Sequence, residues 1–133
     1  MTSSLQLGTF VKTPSPHVIE VLGTARLDFV CLDAEHAPLD RATLDLMVLA
    51  SRAVGLKAFI RIAEVSPSVV LSALDIGATG ILVPHVDSAE DARNVVAMAR
   101  YRDGVRGYSS SPRFAGYGSF GMKEALRVGD EAQ

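Results

Sequence analysis

The chain has 133 residues, 48% of them hydrophobic, with 13 Lys and Arg against 15 Asp and Glu for a net charge of −2. That is the composition of one globular domain with enough apolar material for a single core, and without a basic run it excludes an electrostatic nucleic-acid binder. No apolar stretch approaches the ~20 residues needed to span a bilayer; the opening residues lack the charged start and long apolar block of a signal peptide; the single cysteine, Cys31, rules out an internal disulfide framework. A cytoplasmic protein is the expectation.

In chain order, residues 7–11 read as a short strand. "TPSPHVIEVLG" follows as a helix, with Thr13 or Ser15 as its cap, prolines where a first turn tolerates them, and Gly23 as a stop. Residues 28–33 form a second strand, apolar on both faces, which suits a parallel sheet covered by helices. Cys31 inside it is expected to serve as a small core hydrophobe. Asp40 opens a helix over 40–54 that presents Leu44, Met47, Val48 and Ser51 along one side and ends at Gly55.

A third strand spans 56–62. Ser66, Pro67 and Gly77 then punctuate a helix, 80–86 form a fourth strand, and Asp87 or Ser88 opens a helix expected to bury Ala92, Val95, Val96 and Ala99. The first 103 residues thus hold four strand–helix units. Residues 104–133 read as a loop rich in Gly and Ser, a short helix and a polar tail, all within one partial domain. Alternating strands and helices predict an α/β fold with a parallel sheet. Periodicity leaves open whether that sheet is doubly wound or part of a barrel.

Functional groups in such folds collect at the carboxyl ends of the strands. "DFVCLDAEHAPLD" (28–40) places Asp33, Glu35 and His36 there, Arg61 sits near the end of the third strand, and Pro84, His85 and Asp87 close the fourth. Structural readings stand beside the functional ones. Asp33 is suited to capping the turn after it, Glu35 to a solvated acid or an ion-pair partner, and His36 to an exposed loop. Arg61 interrupts an apolar strand, and a buried guanidinium needs an anion, either a ligand or Asp33 or Glu35. His17 and His85 have only structural or exposed roles to recommend them. Asp75 stands at a helix C-terminal end, where a carboxylate is unfavourable, which invites a functional pairing such as one with a histidine.

Taken in order, these residues resemble the HpcH/HpaI aldolase/citrate lyase family. The resemblance starts at Gly8-Thr9-Phe10 and continues through Glu20, the 28–40 segment, Arg61 and "LDIGATGILVPHVDSAEDA". It closes in "ARYRDGVRGYSSSPRFAGYG". It implies a (β/α)₈ TIM-type barrel, here about its first four β/α units, and a class II pyruvate aldolase. Such enzymes cleave a 2-keto-3-deoxy or 4-hydroxy-2-oxo acid to pyruvate and an aldehyde, with a divalent metal (Mg, Mn or Co) as cofactor. By the same resemblance Arg61 binds the 2-oxo acid and stabilises its enolate. His36 acts as base in a dyad with Asp75, and Asp33 and Glu35 shape the pocket. Nucleic acid and membrane are not expected partners; a homo-oligomer, or completion by another chain, is.

Three departures qualify this. Phe10 stands where the family has tryptophan, and "RYRDG" replaces "RYPP". The family's metal ligands, a glutamate after the fifth strand and an aspartate after the sixth, have no counterpart; Glu124, Asp130 and Glu131 are not in a strand context. A half-barrel that binds a small carboxylate without turnover is therefore the alternative. A nucleotide-binding or receiver-like module lacks the Gly-rich phosphate loop it would need.

Overall fold

The computed structural model describes residues 5–131. Four β/α units follow one another: β1 (Gly8–Val11), α1 (Pro16–Gly23), β2 (Phe29–Asp33), α2 (Arg41–Ala53), β3 (Lys57–Arg61), α3 (Pro67–Asp75), β4 (Gly80–Leu82) and α4 (Ala89–Ala99). A 3-10 helix at Arg113–Gly118, inside the segment expected to be loop, and α5 (Met122–Glu131) complete the chain.

The strands are all parallel and lie in the order β1-β2-β3-β4. Right-handed crossovers between strands in sequential order put every connecting helix on one face of the sheet. A doubly wound sheet would instead reverse its order at a switch point. The fold is therefore α/β of the (β/α)₈ barrel type, represented by four units.

Local chemistry sets most helix ends. Asp40 Oδ1 accepts from the Thr43 amide at 2.8 Å, Ser66 Oγ from Val69 at 3.4 Å and Ser88 Oγ from Asp91 at 3.1 Å, so three of the first four helices carry side-chain caps. Ser15 caps α1 by position only. Gly77, at φ +90°, supplies the left-handed residue that ends α3. Gly23 has a different role: it is the last residue of α1, and a Cβ there would come within 2.6 Å of Val54, so it lets α1 approach α2.

Two-residue alternation splits the sheet into two faces. Val11, Val30, Leu32, Ala58, Ile60 and Ile62 turn toward the helices and join Ile19, Met47, Val48, Val70 and Leu74 in the core. The opposite face carries Gly8, Phe10, Phe29, Cys31, Asp33, Phe59 and Arg61, with Phe29 and Phe59 meeting edge to face at 5.5 Å. Cys31 is 5% exposed. Burial pushes its thiol up from the ordinary cysteine range, which keeps it protonated and unreactive.

Two sequence expectations are corrected. β4 stops at Leu82 rather than 86, because Pro84 cannot donate to the ladder and His85 takes a left-handed φ of +57°. On α4 only Ala99 is buried: Ala92 is exposed and Val96 is 45% exposed. That helix packs along α3 on one side, so its apolar pattern covers more surface than its neighbours bury.

Candidate active site at the strand ends

Asp33 ends β2 fully buried, level with Arg61 at the end of β3. The register makes the two meet as a bidentate pair: Arg61 Nε donates to Asp33 Oδ1 at 2.9 Å and Nη2 to Oδ2 at 2.6 Å. Oδ1 also accepts from the amides of Glu35 (3.2 Å) and His36 (3.0 Å), so Asp33 both caps the turn and anchors the guanidinium. Lys12, one residue beyond β1, brings Nζ within 3.4 Å of Oδ2. Arg61 foremost, then the His36 amide and Lys12, hold the Asp33 carboxyl well below the usual carboxylate range, against the opposing effect of burial. The same pairing raises Arg61 further.

Above this pair sits Glu35, with its side chain 11% exposed. Its Oε2 lies 3.3 Å from Arg61 Nε and 3.5 Å from His36 Nε2, and its Oε1 lies 3.1 Å from His85 Nε2. The ring of Phe10 packs on the guanidinium of Arg61, 4.9 Å from centroid to Cζ. The structure therefore brings Asp33, Glu35, His36 and Arg61 together and adds Phe10, Lys12 and His85. The spacing of Phe10 and Lys12 carried the signal for Lys12: two residues apart, both face the same side of the sheet. His85 had none beyond its place after a strand.

Asp75 lies elsewhere. α3 runs from the rim back along the sheet, and at its far end Asp75 Oδ1 accepts from Arg106 Nη2 at 3.3 Å. Among the described residues no hydrogen bond or ion pair joins Asp75 to His36. Burial raises the Asp75 carboxyl from its ordinary value, opposed by Arg106. Arg106, with a side chain 1% exposed, packs against the rings of both Tyr101 (4.4 Å) and Phe114 (4.6 Å), and its buried Nε has no hydrogen-bond partner. Glu124 pairs with Arg127, and Asp130 accepts from the amides of Tyr101 and Arg102; the side chain of Glu131 lies outside the described residues. No group of three or more His, Cys, Asp or Glu among the described residues is placed to hold a metal ion. His17 and Asp87 are exposed.

Chemically, the cluster offers a guanidinium fixed by a buried acid, an exposed imidazole and a carboxylate between them. Such a set can grip a small carboxylate, stabilise negative charge and move a proton.

Comparison with known proteins follows the same line. The family model described as HpcH/HpaI aldolase/citrate lyase matches residues 6–124. The chain is 34% identical over 118 residues to a 2-dehydro-3,6-dideoxy-6-sulfogluconate aldolase of Pseudomonas putida, covering 88% of this chain and 46% of that protein. It is 39% identical over 110 residues to a 5-keto-4-deoxy-D-glucarate aldolase of Klebsiella pneumoniae, covering 82% of this chain and 43% of the other. A solved HpcH/HpaI aldolase/citrate lyase family protein from Burkholderia cenocepacia superposes with a TM-score of 0.89 at 28% identity, over 96% of this chain and 51% of its own. The chain thus spans about half the length of the curated relatives it matches.

Proposed function

Because the chain belongs to the HpcH/HpaI aldolase/citrate lyase family, we propose that it takes part in aldol cleavage of a 2-keto-3-deoxy or 4-hydroxy-2-oxo acid to pyruvate and an aldehyde. The observation that carries this reading is the pair of buried Asp33 with part-buried Arg61 at the strand ends, with His36 and Glu35 beside it. In the reaction His36 takes the proton of the hydroxyl that becomes the aldehyde, the adjacent carbon–carbon bond breaks, and its electron pair becomes the enolate of pyruvate. Arg61 offers positive charge to that enolate. Asp33 keeps the guanidinium from swinging, and Glu35 stabilises an imidazolium on His36. A proton returned to the enolate carbon completes pyruvate.

The resemblance assigns Asp75 to the same proton transfer, but here its carboxylate is bonded to Arg106. It also implies a divalent metal, Mg, Mn or Co; the described residues do not fit a metal site. The engagement of Asp75 favours the second reading, a half-barrel that binds small carboxylates through Arg61 without turnover. Under both readings we take the protein to be cytoplasmic and to work in an assembly with further copies or a completing chain.

Cleavage of a 2-keto-3-deoxy acid by the folded protein, with Mg²⁺, Mn²⁺ or Co²⁺ added, tests the first reading. Pyruvate release is expected, lowered about 100-fold or more in His36→Asn. A folded sample releasing no pyruvate under any of the three metals sinks turnover by this chain and leaves the binding module.

A further inference from the structure

We infer that Lys12 is a second substrate-binding cation, forming with Arg61 a two-cation clasp for the carboxylate of the 2-oxo acid. This rests on the reading above, in which Arg61 is the one cation that meets the substrate. β1 pairs with β2 so that Val11 stands opposite Leu32, and β2 with β3 so that Asp33 stands opposite Arg61. Lys12 continues β1 by one residue, level with Asp33, and shares its face of the sheet with Phe10. Three adjacent strand ends therefore present a row of cation, buried anion and cation. Lys12 and Arg61 lie 3.4 and 2.6 Å from the same oxygen, Asp33 Oδ2, so one carboxylate can reach both.

The two cations are unequally committed. Arg61 spends Nε and Nη2 on Asp33 and shares Nε with Glu35, leaving Nη1 without a hydrogen bond among the described residues. Of the four bonds Asp33 accepts, three fall on Oδ1 and only one, from Arg61 Nη2, on Oδ2, the oxygen that Lys12 faces. Lys12 meets Oδ2 only from beyond the usual 2.7–2.9 Å of a charge-assisted bond, a loose contact that leaves its ammonium able to turn to an incoming anion. Its side chain is 57% exposed and its ammonium carries three donors. Asp33 and Glu35 together more than cancel the single charge of Arg61, and Lys12 brings the cluster back to balance. The surplus donors of Lys12 supply what an incoming anion requires.

Calorimetric titration of the full chain with oxalate, a mimic of the pyruvate enolate, tests the assignment at low ionic strength and without added metal. Lys12→Met should weaken binding roughly five- to ten-fold, about the effect of losing one partly exposed charge contact. Lys12→Arg should restore most of it, and thermal unfolding should show both variants folded, since Lys12 lies at the surface. Oxalate bound equally well by Lys12→Met and wild type overturns the clasp while leaving the aldolase reading intact; a folded wild type that does not bind oxalate overturns it too. Lys12-dependent oxalate binding in a protein that releases no pyruvate keeps the clasp and sinks turnover alone.

Discussion

Asp33 is fully buried yet ionised, and the reason is its count of partners: a bidentate guanidinium, two amides and a nearby ammonium. Linkage gives this a sign. The folded carboxyl is held below the value of an unfolded aspartate, about 3.9, so the stabilisation is complete above that value and is lost as pH falls from there toward the folded value. Asp33→Asn should cost about 2–4 kcal/mol at pH 7, because it leaves Arg61 facing a neutral amide. It should also flatten the acid limb of the stability profile. Urea unfolding of both proteins between pH 7 and pH 3 checks this, and an equally steep acid limb in the variant would show that other carboxylates set it. Asp75 works in the opposite sense, since burial raises its carboxyl and protonation there favours the folded form.

At the scale of elements, the turn after β4 holds the least comfortable backbone near the site. His85 adopts φ +57°, a region most side chains avoid, while its ring contacts Glu35. Strain of this kind persists where a side chain is wanted for its position. His85→Gly and His85→Ala both remove the imidazole, but only glycine accepts the backbone freely, so His85→Gly should be the more stable of the two by about 1 kcal/mol. Denaturant midpoints decide it, and equal midpoints would mean that the turn relaxes without cost. The shortness of β4 belongs to the same turn, and a strand pattern of apolar residues through Val86 could not reveal it.

Across the whole molecule, one clamp ties the C-terminal segment to the sheet and its helices. Arg106 reaches Asp75 while packed against the rings of Tyr101 and Phe114, and Arg113 grips Asp45 with bonds of 2.8 and 3.0 Å. Asp75→Ala would remove the acceptor that Arg106 Nη2 uses and should destabilise the protein by about 2 kcal/mol. Amide exchange should then rise in residues 100–118 before it rises in β2 and β3. Protection unchanged in that segment would assign its anchoring to Arg113. β1 and β4 each pair on one side only among the described residues, and such edges favour pairing with further strands, in keeping with the proposed assembly.

What the sequence determined by itself is what depends on near neighbours along the chain. Capping Asp40, Ser66 and Ser88, the prolines at first helical turns and the glycines after α2 and α3 place the helices. The acids, imidazole and guanidinium that follow apolar strands mark the rim. Tertiary structure alone decided which of these meet. Lys12 joins Asp33 through strand register, His85 reaches Glu35 through a bend after β4, and Asp75 goes to Arg106 because α3 carries it away from the rim. The exposed side of α4 is of the same kind: an apolar stripe states what a helix could bury, whereas only the neighbouring elements determine what is covered. Contacts between residues far apart in sequence depend on register and packing, and neither is written in local pattern.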